Sequence, residues 1–283
     1  MRKIYDICGF LKVIKEECRQ LRGDELFFYR GLSDEKYDLL PSVFRKKKKD
    51  EESNAYHDIM VEYPEQFKTR EHLSNLVKMQ HYGSATRLLD VSGNPLIGLY
   101  FACEQSPNVD GKVVCLKVKK SEMLHHNSDK ALMLACLPIF SDEEKEEIKK
   151  FCEFHRGVIS DRDIANNNTM KRFLHEIRSE FPAFETAIVG EDLLKYYFVA
   201  AFKDNQRMKV QDGAFVIFGL TKDTSSLERI ATEIEIDFSA KQEILKDLKM
   251  LGIANNTVYP DFERTSMAIA NDRKAEWVNI YQK

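Results

Sequence analysis

The stretch MQHYGSATRLLDVSGNPLIGLYFACE, Met79 to Glu104, packs a histidine, a glycine, a threonine, an arginine and an aspartate into ten positions and follows them with a long apolar run. Gly83 permits a tight turn or a close backbone approach. Arg87 and Asp90 are three apart, so they share a face if the segment is helical. Val91-Ser92-Gly93-Asn94-Pro95 reads as the loop that ends the element. The apolar run Leu96–Glu104 has the composition of a buried strand or helix, which periodicity alone does not separate. The plain alternative to a site is a polar network that pins the loop against the core.

Working outward, the chain of 283 residues is 43% hydrophobic and 31% charged, a balance that supports a large buried core. A net charge of -3 and a pI of about 6.2 provide no global field for nucleic acid or membrane. The four-lysine run Lys46–Lys49 is followed by acid, and reads as a solvated loop. Six cysteines form no CxxC pair and sit mostly in apolar contexts, so reduced thiols and a cytoplasmic location are expected. The amphipathic start is unlike a signal peptide, and no uncharged apolar run approaches spanning length.

Helical periodicity covers Ile4–Leu21, Glu52–Met79, Asp129–Phe140, Glu143–His155, Ile164–Ile177 and Ser239–Leu251, the last with Ser239 as N-cap and Gly252 as C-cap. A final helix is expected from Asp261. Leu26–Tyr29 reads as a strand broken at Arg30-Gly31. Further β-prone runs are Lys112–Val118, Tyr196–Phe202, Met208–Val210, Gly213–Phe218 and Leu227–Phe238. The expectation is one α+β domain with a mixed or largely antiparallel sheet flanked by helices. Its parts are an N-terminal helix (1–22), a motif-bearing part (23–120), a helical insertion (121–190), strands (191–238) and C-terminal helices (239–283).

No metal motif, dinucleotide fingerprint, P-loop or nucleophile elbow occurs, and no metal is expected. His125-His126 reads as a surface pair, and His57, His72 and His155 as polar-face residues. Three polar clusters in apolar settings remain: Tyr29-Arg30-Gly31 with Arg45, His81 to Asp90, and Asn205-Gln206-Arg207 with Gln211-Asp212-Gly213. The guanidinium of Arg30 offers a fork for phosphate or carboxylate, with an ion pair to Asp90 as the structural alternative. The third cluster reads otherwise as a hairpin turn.

The order FYRG, PSVFR, MQHYGSATRLLD, NPLIGLYFA and NQRMKVQDGAFVIFG resembles the FRG-domain family, named for an aromatic-Arg-Gly motif. Gln80, His81, Gly83, Thr86, Arg87, Leu88, Leu89, Asp90, Asn94, Pro95, Leu96, Tyr100, Phe101 and Ala102 carry its most typical pattern, and Val258–Glu263 is similar to its closing segment. Ser84-Ala85 and Val91-Ser92 depart from the family's Leu-Pro and Trp-Thr type pairs. The family occurs in bacteria and their phages.

A looser resemblance connects FYRG, GLYFA and the Gln211 region to ADP-ribosyltransferases, which bind NAD in a split sheet. It implies an enzyme acting on NAD, as a transferase or glycohydrolase-like effector in stress or phage defence, or a toxin. Arg30, His81 and Gln211 would then be catalytic. Tyr29, Gly31, Arg45, Gln80, Gly83, Thr86, Arg87, Asp90, Asn94, Tyr100, Phe101 and Arg207 would line or brace the site. Arg30 would hold the pyrophosphate, Tyr100 or Phe101 would stack on nicotinamide, and Gln211 would stand at the catalytic glutamate position, or Glu104, Glu176 or Glu180 would bring the carboxylate. The alternative is a non-catalytic module that binds a nucleotide, another phosphate-bearing ligand, or a protein partner such as an antitoxin.

Overall fold

The computed structural model describes residues 2–45, 51–67, 71–185, 188–200, 206–225, 227 and 231–260, with the side chains of 206 and 207 excepted. Eight strands form one mixed sheet: β1 (Arg2–Ile4), β2 (Glu25–Leu32), β3 (Leu88–Ser92), β4 (Gly111–Lys119), β5 (Leu124–His125), β6 (Tyr196–Ala200), β7 (Gly213–Phe218) and β8 (Ala231–Ile236). Their order is β1-β8-β4-β2-β3-β7-β6-β5, antiparallel except for the parallel outer pairs β1–β8 and β5–β6. The expected α+β fold with a mixed sheet and flanking helices is the observed one.

The sheet is pinched at its middle. β2 pairs with β4 along its whole length, from Glu25 opposite Lys119 to Leu32 opposite Lys112, and β3 pairs with β7 from Leu88 to Ser92. Between β2 and β3 the ladder is a single pair, Tyr29 opposite Ser92. Phe28 of β2 nevertheless stacks on Phe198 of β6 at a centroid separation of 5.8 Å. Three strand intervals in a flat sheet would hold those strands about 14 Å apart. The two halves therefore fold toward each other about the β2/β3 junction. Phe28, Leu32, Val114 and Leu116 from one half share a buried cluster with Leu89, Val91, Val216 and Phe218 from the other.

Helices cover the outer faces. On the β2–β4–β8 half, α1 (Ile7–Cys18) and α5 (Pro95–Cys103) enclose Phe27, Tyr29, Val113, Cys115, Ile234 and Ile236. Between them in the chain lie α2 (Ser42–Arg45), α3 (Glu51–Glu62) and α4 (His72–His81). On the other half, α4 packs with α6 (Asp129–Cys136), α7 (Asp142–Phe154), α8 (Asp161–Ala165) and α9 (Asn168–Glu180) over Leu88, Val199, Phe215 and Ile217. Shorter helices α10 (Gly190–Leu193) and α11 (Gln206–Val210) flank β6 in the chain. Then α12 (Lys241–Met250) joins the first half, and α13 (Asn255–Val258) follows.

Several expectations are corrected. β2 runs through Gly31 to Leu32 instead of breaking there. The apolar run, left open between strand and helix by its composition, is helix α5, started by Asn94, whose Oδ1 accepts from Leu96 N at 2.9 Å, and by Pro95 in the first turn. The expected single helix over 52–79 is two, because Pro64 lacks an amide donor and disfavours helical geometry before it. Met208–Val210 belongs to α11, not to a strand, so Gln211–Gly213 is a helix-to-strand turn, not a hairpin. Asp237, not Ser239, caps the helical turn at 238–240, accepting from Ser239 N. Gly252 does take the left-handed conformation after α12, at φ +81°. The run Lys46–Lys49 and the helix expected from Asp261 lie outside the described residues. Among the described residues no helix is long and apolar enough to cross a membrane. The thiols of Cys103, Cys115 and Cys152 are buried, and burial pushes each up to about 12. Cys136 is buried too, whereas Cys8 and Cys18 are exposed.

Candidate functional site

A cavity of about 240 Å³ opens beside the pinch, where β2 leaves β3. Arg30, Gly31, Leu32 and Ser33 form its β2 wall; Phe101, Glu104 and Gln105 come from α5 and its end. Tyr37, Arg45, Asp90, Gln211 and Tyr259 complete the lining.

Strand alternation decides which part of FYRG enters the cavity. Successive side chains of a strand point to opposite faces. Phe27 and Tyr29 lie in the core under α1 and α5, and the Tyr29 hydroxyl sits 3.7 Å from the Cys18 sulfur. Tyr29 is therefore a core residue and not part of the cavity. Arg30 points the other way. Its Nη1 donates to Asp90 O at 3.1 Å and lies 3.5 Å from Asp90 Oδ2, so the alternative ion pair is present. The pairing does not exhaust the fork, because the buried Nε has no hydrogen-bond partner.

Gly31 serves the site through packing. A Cβ there would lie 2.0 Å from Gly98 O and 2.6 Å from Ala102 N. Only a glycine lets α5 lie this close to β2, and the contact aims Phe101 and Glu104 into the cavity.

The charges of the cavity are mixed. Arg45 donates from Nε to Leu40 O at 3.0 Å, and burial together with the neighbouring Arg30 lowers its pKa from the ordinary value. Opposite the arginines, Glu104 accepts from the Tyr259 hydroxyl at 2.9 Å and from the Tyr100 hydroxyl at 3.4 Å. Tyr259 also meets the Phe101 ring at a centroid distance of 6.1 Å. The buried Gln211 donates from Nε2 to Val258 O at 3.0 Å.

A second, very small cavity, of about 20 Å³, lies against the first. Asp90 and Gln211 line both, and Gln80, His81, Met208 and Phe215 close the second. Arg30, Asp90 and Gln211 thus converge, with His81 and Gln80 behind Asp90.

Arg87 does not join them. Its segment is strand-like, so the three-residue spacing to Asp90 separates the two side chains instead of aligning them. Arg87 is 1% exposed and binds Glu52 through Nε at 2.8 Å and Nη2 at 2.6 Å. Its Nη1 donates to Phe218 O and Gly219 O. Thr86 is also buried; its hydroxyl donates to Gln80 Oε1 and accepts from Leu88 N at 3.2 Å. Asn94 is a helix cap, and Tyr100 is in the core with its hydroxyl reaching Glu104. Gly83 adopts φ +88° in the turn closing α4, a conformation that demands glycine. The side chain of Arg207 lies outside the described ones.

Of the alternative carboxylates, Glu104 is in the cavity, and Glu176 and Glu180 lie on α9 in the helical layer. Glu180 faces His72 at 3.8 Å, and burial pushes its carboxyl up to about 7. His72, expected on a polar face, is buried and shares a 2.7 Å hydrogen bond with the Tyr56 hydroxyl. Ser33, Tyr37 and Gln105 line the cavity without any signal in the sequence, because only folding brings their loops there. Tyr259 comes from the position just after α13.

Carboxylates of Glu35, Asp110 and Glu235 also approach one another. Lys3 supplies a cation there, 2.6 Å from Asp110 and 3.0 Å from Glu235.

Fold and site together define an α+β protein with a pinched mixed sheet and a charged, aromatic cleft at the pinch. Residues 25–111, from β2 to the first residue of β4, match the family model of the FRG domain. No curated protein and no solved structure matches the chain.

Proposed function

We propose that the cavity beside Arg30 binds the phosphate-bearing end of a nucleotide and that the chain cleaves NAD there, as a transferase or a glycohydrolase. The observation that carries this reading is the buried Nε of Arg30, without a hydrogen-bond partner among the described residues, beside a cleft that also holds Arg45, an aromatic wall and Glu104. A guanidinium fork with a free donor suits a phosphate oxygen. Phe101 offers a face for a planar base or nicotinamide. At about 240 Å³ the cavity suits one end of a dinucleotide, with the rest lying in the open mouth.

The chemistry assigned to the site is glycosidic cleavage. The bond from the ribose anomeric carbon to the nicotinamide nitrogen breaks, and nicotinamide leaves with the electron pair. Positive charge grows on the ribose, and Glu104 is the carboxylate placed to stabilise it. Water or an acceptor hydroxyl then adds and releases a proton. Gln211 is neutral and occupied by Val258 O, so in this scheme it braces the wall rather than supplying charge.

The test is nicotinamide release from NAD, with calorimetry for binding. Wild type binds and releases; Glu104→Gln keeps binding and loses release by about a hundredfold or more; Arg30→Ala loses binding with an unchanged circular dichroism spectrum. Binding without release moves the chain to the second reading, a module that binds a nucleotide or a protein partner, which the neutral Gln211 favours. Absence of both ends the proposal. A role as a growth-arresting effector adds one expectation: wild-type expression slows bacterial growth and Arg30→Ala expression does not.

A further inference from the structure

A cavity of about 420 Å³ lies away from Arg30. Its floor is the buried trio Glu52, Arg87 and Lys145, and its walls include Phe44, Lys149 and Lys222. Glu52 Oε2 is 2.6 Å from Arg87 Nη2 and 2.7 Å from Lys145 Nζ, so one carboxylate serves two buried cations. Both cations hold its carboxyl down at about 2 against the opposing effect of burial. The trio carries one positive charge in excess. A further acid, Asp142, is 3.7 Å from Lys145 and half exposed, so solvent screens its compensation.

Lys145 is the member of the trio with hydrogen-bonding capacity left over. Its Nζ is buried and ion-paired with Glu52, yet among the described residues no acceptor stands in full hydrogen-bond geometry to it. An ammonium has three donors, and the single Glu52 oxygen at 2.7 Å does not satisfy all of them, which is costly in a low-dielectric site. Lys149 and Lys222 add positive charge at the walls, and Lys222 also lies over the Phe44 ring, 5.8 Å from its centroid. Glu51 and Glu146 share the lining. They disfavour a ligand that is anionic throughout and favour one with a single compact anion directed inward.

We infer that this cavity is a second ligand site, which takes a phosphate group on Lys145, with Lys149 and Lys222 beside it. The excess positive charge is that of the trio alone, since Glu51, Asp142 and Glu146 offset the two wall lysines. Phosphate is preferred to a carboxylate because it offers three acceptor oxygens to the donors of Lys145, Lys149 and Lys222. The phosphate can be free or carried on a nucleoside whose base lies against Phe44.

Thermal unfolding at constant ionic strength, with inorganic phosphate in one arm and AMP in the other, tests the site. Phosphate raises the melting temperature of the wild type, and Lys145→Met weakens its apparent affinity about tenfold or more. Lys149→Gln with Lys222→Gln, a change at the walls that leaves the buried trio intact, weakens it severalfold. A larger shift with AMP than with phosphate identifies the nucleoside-borne form; equal shifts identify the free anion. Arg30→Ala leaves this response intact while removing binding at the cleft, so the two sites fail independently. No shift in either arm, or a shift that Lys145→Met and the wall variant leave unchanged, overturns the inference.

Discussion

Gly31 of β2 and Gly98 of α5 meet backbone to backbone: a Cβ on Gly31 would stand 2.0 Å from Gly98 O, and one on Gly98 would stand 3.0 Å from the Tyr29 Cβ. Backbone cannot rotate away as a side chain can, so the helix must shift. Gly31→Ala is expected to cost about 3 kcal/mol, at the upper end of overpacking penalties. Urea unfolding measures the loss. The same shift moves Phe101 and Glu104, so ligand binding at the cleft falls further than the stability loss explains.

Glu52→Gln removes the carboxylate bonded to both Arg87 and Lys145. Breaking one partner of a buried charge cluster costs about 3–5 kcal/mol. The wild type shows the matching acid dependence. Glu52 titrates near 2 when folded and near 4.5 when unfolded, so its stabilisation is complete above pH 4.5 and disappears as pH falls toward 2. In Glu52→Gln this part of the acid transition is absent. An unchanged slope of stability against pH in that window would contradict the assignment.

Glu180 has the opposite sign. Burial raises its folded pKa to about 7, above the unfolded 4.5. Between those values the folded state binds more protons, so this group lowers stability as pH rises, and its full penalty stands above pH 7. With allowance for partial solvent screening, Glu180→Gln is expected to stabilise the protein by about 2 kcal/mol at pH 8 and to make little difference at pH 4. Denaturant midpoints at the two pH values check it.

Lys241 is fully buried and donates to Ser33 O at 2.7 Å, Ser106 O at 3.0 Å and Gln105 O at 3.4 Å. It ties the end of β2 to the loop after α5, two walls of the cleft. Lys241→Met leaves three carbonyls without their charged donor and is expected to cost about 3 kcal/mol. Lys241→Arg does not rescue it, since a planar fork cannot reach three convergent carbonyls. Amide hydrogen exchange at 104–107 reports the loosening directly.

Legibility in the sequence followed the range of the interaction. Strands β4 and β7 and helices α1, α7 and α9 carry their own periodicity and caps, such as Ser141 with Glu144 at the start of α7. Arg30 and Asp90 were visible as polar residues set among apolar ones. The sequence was least decisive where local pattern is ambiguous. The run 95–103 is apolar on every side, so no period marks it as helix. Arg87 and Asp90 exchange sharing a face for opposite faces once the segment is extended.

By itself the sequence determined the α+β class, most of the helices, and which short segment holds the polar residues that apolar neighbours would force to pair. Tertiary structure alone decided that Arg30 and not Tyr29 faces the cleft, that Arg87 belongs to a different cluster, and that Glu104 and Tyr259 stand opposite the arginines. The physical reason is the fold about a single ladder pair, Tyr29 with Ser92. Hydrogen bonding within each half is specified by local strand patterns, whereas the angle between the halves comes from apolar contacts such as Phe28 on Phe198, 170 positions apart in the chain.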